Sequence, residues 1–252
     1  MNISRRNFLV RTTVVAGAAT AALLPFSEYL ASPAHAAEGY IQPKHIREAA
    51  RRALERGKRT RSGKPGPNGW EMEIAADRGG SVWTRPVPGT PIKGVAVRTG
   101  DVEAVLVHVV RRFHYEVEAL RDGDVVGWRR PGEVRRGQAE ANQASGTAVQ
   151  IRPDHYPSGA RGGFFPQQQI VLRDILAELE GVVRWGGDET KADESLFYIG
   201  VKPEDPLLAK VGRKLRGWSD QPGKGAGGPV DVRSGGRRRE AKALAREQKA
   251  SA

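Results

Sequence analysis

The chain has 252 residues, no cysteine, and 41 Lys+Arg against 29 Asp+Glu, a formal net charge of +12. That length suits one or two domains, and the missing thiols exclude a disulfide scaffold, a Cys-ligated zinc and a Cys nucleophile. A hydrophobic fraction of 38% suffices for one core and excludes a wholly disordered chain. The only long apolar run lies at the N-terminus, which excludes a bulk membrane protein.

Residues 1–36 read as an address. Arg5 and Arg6 precede Asn7-Phe8-Leu9, a weakly apolar Ala/Gly/Thr stretch follows, and Ala34-His35-Ala36 forms an A-x-A site with cleavage expected at Ala36/Ala37. The run resembles a twin-arginine export signal, which implies an exported, extracytoplasmic or wall-associated protein. Membrane attachment is then expected only through an uncleaved signal, shortened by Pro25 and Glu28.

Beyond the signal the charge is uneven. Residues 37–69 hold nine basic and three acidic residues, residues 70–221 hold 21 and 22, and residues 222–252 hold eight and three. The excess therefore sits in two flanks around a nearly neutral middle. Such flanks suit anionic polymers, and export makes wall polymers and lipid headgroups the relevant ones, with nucleic acid unlikely.

In the first flank HIREAARRALERG places Ile46, Ala49, Ala50, Ala53 and Leu54 on one narrow helical face. Together with the Gly/Pro-rich linker after it, this gives a basic helical arm over 37–69. A domain over 70–218 follows. Strands are predicted at 94–98, 125–128, 147–151, 182–185 and 196–199. Val102, Val105, Leu106, Val109 and Val110 predict a helix capped by Asp101, and the alternation of Phe113, Tyr115, Val117 and Ala119 predicts a strand directly after it. Further helices are predicted from Pro166 to Glu180 and from Asp205-Pro206 through Trp218. The mixture, without strict strand–helix alternation, is α+β. Residues 219–252 read as a basic disordered tail.

Two stretches carry a resemblance. The first is NQASGTAVQI, residues 142–151; the second is VVRWGGD, residues 182–188, followed by DESLFY, residues 193–198. Together they resemble the zinc D-alanyl-D-alanine carboxypeptidases and L-alanyl-D-glutamate endolysins. The resemblance implies a small antiparallel sheet flanked by helices, the Hedgehog/DD-peptidase-like fold, and one zinc held by two His and an Asp beside an acid/base carboxylate.

Carried over by position, Gly146 and Ala148 are kept, but Gln143, Gln150 and Leu196 stand at the three ligand positions. Gln is a weak zinc ligand and Leu offers none, so no metal and no cofactor are expected. Asp193 stands at the carboxylate position as a relic acid/base. His155, Trp185, Asp188 and Tyr198 are candidates to line the same cleft as the three replaced ligands; a lone loop His is more often a surface residue, and a weak site with Asp188 or Asp193 is the alternative for His155. Arg161-Gly162-Gly163 can present backbone N–H groups to an anion, although Gly-Gly after a Pro-Ser turn is more often a loop.

The resulting expectation is a non-catalytic binder of cell-wall peptide or of a wall-associated protein. An active peptidase with an unconventional metal site and a polyanion-binding adaptor acting through the flanks are the alternatives.

Overall fold

The structure, a computed structural model, describes residues 44–221 and 223–251. The export signal and its cleavage point lie outside the described residues. Contacts divide the chain after Glu55. On the N-terminal side the described residues are Lys44–Glu55, the first turns of helix α1 (Lys44–Thr60). Ile46 and Leu54 are exposed there, and Lys44 pairs with Glu48 at 4.0 Å on the surface.

From Arg56 onward the chain is α+β. Strands β1 (Arg61–Pro65) and β2 (Glu71–Glu73) form one antiparallel hairpin, and β3 (Val82–Arg85) and β4 (Val95–Arg98) form a second. Helix α2 spans Asp101–Glu116, β5 Val125–Val126, and a 3-10 helix Ala139–Ser145 leads into β6 (Ala148–Ile151). Helix α3 (Pro166–Glu178), β7 (Val183–Trp185), a 3-10 turn at Gly186–Asp188, β8 (Leu196–Ile199), α4 (Pro206–Ser219) and α5 (Gly235–Ala250) complete the order. The main sheet is antiparallel with strand order β5-β6-β8-β7.

Strand alternation sorts this sheet into two faces. Val149, Ile151, Phe197, Ile199, Val183 and Trp185 join the main core with Val105, Leu106, Val109 and Phe113 of α2 and Leu172, Ile175 and Leu176 of α3. Ala148, Leu196 and Tyr198 form a separate small cluster on the opposite face, against Ala139 of the 3-10 helix. That second face carries the candidate site.

Four sequence expectations change. Helix α2 runs through the stretch read as a strand, because Val109, Val110 and Phe113, all buried, continue one helical stripe. Its N-cap is Gly100 at φ 89°, a left-handed position suited to glycine, while Asp101 pairs with Arg216 of α4 at 2.5 Å.

The expected linker is instead the β1–β2 hairpin, pinned to the sheet by Asn68. Its Nδ2 donates to Thr147 Oγ1 at 2.8 Å and to the Ile199 carbonyl at 2.9 Å. Trp70 adds a bond from Nε1 to the Val201 carbonyl at 2.9 Å.

The expected disordered tail contains α5, which packs on α3. Arg237 grips both oxygens of Asp174 at 2.6 Å, and Gln248 Nε2 donates to the Val183 carbonyl at 2.9 Å. Between α2, α3 and α5 lies a buried ionic cluster: Arg112, fully buried, contacts Glu116, Asp174 and Glu178, and His108 Nε2 lies 2.8 Å from Glu178.

Candidate functional site

On β6 and β8 the antiparallel register places Gln150 directly opposite Leu196, and Ala148 opposite Tyr198. These side chains share the face away from α2 and α3. The chain enters β8 through a tight turn in which Asp193 N–H donates to the Gly186 carbonyl at 2.9 Å and Leu196 N–H to the Asp193 carbonyl at 3.1 Å. Gly186 is required in this turn, since a Cβ there would stand 2.5 Å from the Asp193 carbonyl oxygen.

Asp193 is buried, and both its oxygens are occupied. Oδ2 accepts from Gln150 Nε2 at 2.9 Å; Oδ1 accepts from Ser195 Oγ at 2.5 Å and Ser195 N at 3.2 Å. A carboxylate fixed by three donors inside the protein is a structural acceptor rather than a base open to a water or substrate. Ser195 is itself fully buried and spends its hydroxyl on Asp193.

Beside this group lies a cleft of about 210 Å3, whose lining includes Asp193, Leu196, Ala139, Ser158, Glu189 and Lys191. Glu140 on its wall is buried and held by Arg129 at 3.0 Å and by a close pair with Arg135, which also donates to Ser158 Oγ at 2.8 Å. Tyr198 donates its hydroxyl to Glu189. Burial, with the hydrogen bond and charge of Glu189, pushes the Tyr198 phenol well above its ordinary value, so it remains a protonated donor.

Of the expected cleft residues, Gln150, Asp193, Leu196 and Tyr198 come together on this face. Gln143 is fully buried and donates through Nε2 to the Val126 and Gly127 carbonyls at 3.1 and 2.9 Å; Val126 is the strand partner of Gln150.

Three expected residues are placed elsewhere. Trp185 faces the core opposite Phe197, donates Nε1 to the Glu194 carbonyl at 2.8 Å, and carries Arg173 4.8 Å over its ring. Asp188 is clamped by Arg173, with one bond at 2.6 Å and a second, shorter one. His155 is exposed on the turn after β6, where Nε2 lies 2.8 Å from Arg152, and it meets neither Asp188 nor Asp193. The Gly162 and Gly163 N–H groups do bind an anion, but it is the chain's own Glu194 carboxylate, at 2.8 Å from each.

Glu140, Glu189 and Lys191 are not singled out by the sequence: Arg129 and Arg135, which hold Glu140, and Tyr198, which donates to Glu189, lie near them in the chain, but no local motif marks these residues. Among the described residues no group of three His, Cys, Asp or Glu side chains is placed to hold a metal ion. Also among the described residues, no helix is long and apolar enough to cross a membrane. Comparison with family models, with curated proteins and with solved structures gives no match.

Proposed function

We propose that this chain is an exported, wall-associated binding protein. Its domain is a D-alanyl-D-alanine carboxypeptidase-like (Hedgehog/DD-peptidase) fold without catalysis, and its cleft holds a short cell-wall peptide or the tip of a wall-associated partner. One observation carries the reading: Asp193, at the acid/base position of the resemblance, is tied to Gln150, and Gln150 faces Leu196 across the strand pair. Two of the three replaced ligand positions thus join the old carboxylate in one closed hydrogen-bonded and packed unit.

What the cleft offers is the apolar Leu196 and Ala139 among polar Lys191, Ser158 and Glu189, chemistry for recognising a short polar peptide. The test is titration of the protein with a synthetic peptide ending in D-Ala-D-Ala, followed by amide NMR and by amino-acid analysis. Shifts centred on Glu189, Lys191 and Leu196, with the peptide recovered intact, support the reading. Release of D-Ala overturns the loss of catalysis, and absence of any shift overturns the peptide-binding cleft.

A further inference from the structure

A second concavity lies far from this cleft in chemistry, between α3 and α5. It holds about 600 Å3, and five of its eleven lining residues are cationic while none is acidic. Its lining also includes apolar or small residues: Ile170 and Pro166 on α3, Ala241 and Ala245 on α5.

The cations Arg238, Lys242, Arg246 and Lys249 follow one another at spacings of four, four and three along α5, which aligns them in one row about 16 Å long. Among the described residues, Arg238, Lys242 and Arg246 form no ion pair, whereas Arg237, one position over, is spent on Asp174 and Glu178. Phe165, next to Pro166 at the groove, is 73% exposed. α5 therefore uses one face to hold the fold and leaves Arg238, Lys242 and Arg246 without an ion pair among the described residues, beside apolar and small residues, while Lys249 lies 3.7 Å from Asp188.

We propose that this groove is a docking site for an acidic amphipathic helix of a partner protein. Its apolar stripe would lie on Ile170, Ala241 and Ala245, and its carboxylates would meet the α5 cations. The combination selects this occupant. A bare phosphate or carboxylate polymer has charge but no apolar face to cover Ile170, Ala241 and Ala245, and a flat anionic membrane cannot follow the groove inward. A helix with Glu or Asp at four-residue spacing beside Leu or Ala matches both the 6 Å cation repeat and the apolar lining. Ala at 241 and 245 lets a helix backbone approach closely, and Phe165 is the kind of exposed aromatic that anchors such contacts.

The experiment uses the mature chain and a fluorescent synthetic Glu/Leu/Ala amphipathic helix, read by anisotropy. Controls are a peptide of the same composition with scrambled order, polyglutamate, inorganic polyphosphate, and vesicles of phosphatidylglycerol. Saturable binding of the ordered helix, at least about tenfold tighter than the scrambled peptide, is expected. The double variant Lys242→Glu, Arg246→Glu should weaken it about tenfold or more and flatten its salt dependence.

Ala245→Phe fills the groove without changing charge and should weaken the helix as much, while leaving any polyphosphate binding untouched. Thermal melts check that both variants fold, and titration with the D-Ala-D-Ala peptide reports the other cleft separately. Equal binding of scrambled peptide, polyglutamate or polyphosphate would make the groove a general polyanion site and overturn the proposal. So would capture by the vesicles in preference to the peptide, or no binding at all.

Discussion

Replacing Glu178 by Gln tests the ionic cluster that joins α2, α3 and α5. The carboxylate sits with 8% of its side chain exposed, 2.8 Å from His108 Nε2, 2.9 Å from Arg237 and 3.1 Å from Arg112. Burial alone would raise its pKa, but the His108 hydrogen bond, the Arg112 charge and the Arg237 hydrogen bond overcome it and hold Glu178 at about 2, against 4.5 for an ordinary Glu. By linkage that difference is roughly 3 kcal/mol of folding stability. Since the folded value is depressed, the contribution is fully present above about pH 4.5 and is lost as pH falls toward about 2.

Glu178→Gln keeps the shape and drops the charge. Urea unfolding followed by tryptophan fluorescence should find it roughly 3 kcal/mol less stable at neutral pH, with the gap to wild type closing as the medium is acidified below about pH 4.5. His108 titrates in the same cluster. Burial pushes its imidazole below the ordinary value of 6.5, against the raising influence of Glu178. The unfolded chain therefore takes up that proton first, so stability falls below about pH 6.5, and it falls further in the variant, where the raising influence of Glu178 on His108 is gone. A gap that stays constant down to about pH 3, or a variant more stable than wild type, would refute the reasoning.

Asn68→Ala removes the amide that donates to the Ile199 carbonyl and to the Thr147 hydroxyl, of which the hydroxyl keeps Ser145 and Asn142 as partners, so a loss of about 1–3 kcal/mol and faster proteolytic cleavage within 61–73 are expected. Gly127→Ala would set a Cβ 2.1 Å from the Ala96 carbonyl oxygen, and a destabilisation of about 2 kcal/mol or more should appear in thermal melts. Removing residues 235–252 strips Arg237 from the buried Asp174 and Glu178, and the urea midpoint should fall by the equivalent of about 3 kcal/mol or more; a dispensable tail would leave it unchanged. Asp193→Leu should raise no new activity and should cost about 1–3 kcal/mol, because Gln150 and Ser195 lose their acceptor.

The parts legible in the sequence were those whose signals are local. Helices α3 and α4 begin at Pro166 and Pro206, and β6 and β8 fall within a residue of their alternating runs. Asp205 caps α4 by accepting from Leu207 N–H at 2.8 Å, as its position suggests. The alternation also put Gln150 and Leu196 each on a definite strand face.

What was not legible depends on distant partners. β1 reads RSGKP, with no apolar residue at all, and owes its place to pairing with β2 and to Asn68. α5 has only a thin stripe of Ala241, Leu244 and Gln248, and its strongest hold, Arg237 on Asp174, spans 63 positions. Phe113 to Val117 fits both a period of two and a helical turn, and only the packing of α2 decides. Trp185 was assigned to the cleft from its motif, although it faces the core with its cross-strand partner Phe197.

The clasp at Asn68 also bears on the order of assembly. Its acceptors lie 79 and 131 positions away, on Thr147 and Ile199, whereas β6 and β8 meet each other across about fifty positions. The extra chain to be closed costs less than about 1 kcal/mol, because closure entropy grows only logarithmically with length. The larger constraint is that both acceptors come within reach of one amide only after β6 and β8 have aligned. The hairpin should therefore dock last during folding and detach first under native conditions. Amide hydrogens of residues 61–73 would exchange through a partial opening far more frequent than unfolding of the main sheet, with Asn68, Trp70 and Glu73 together marking the boundary between two cooperative units.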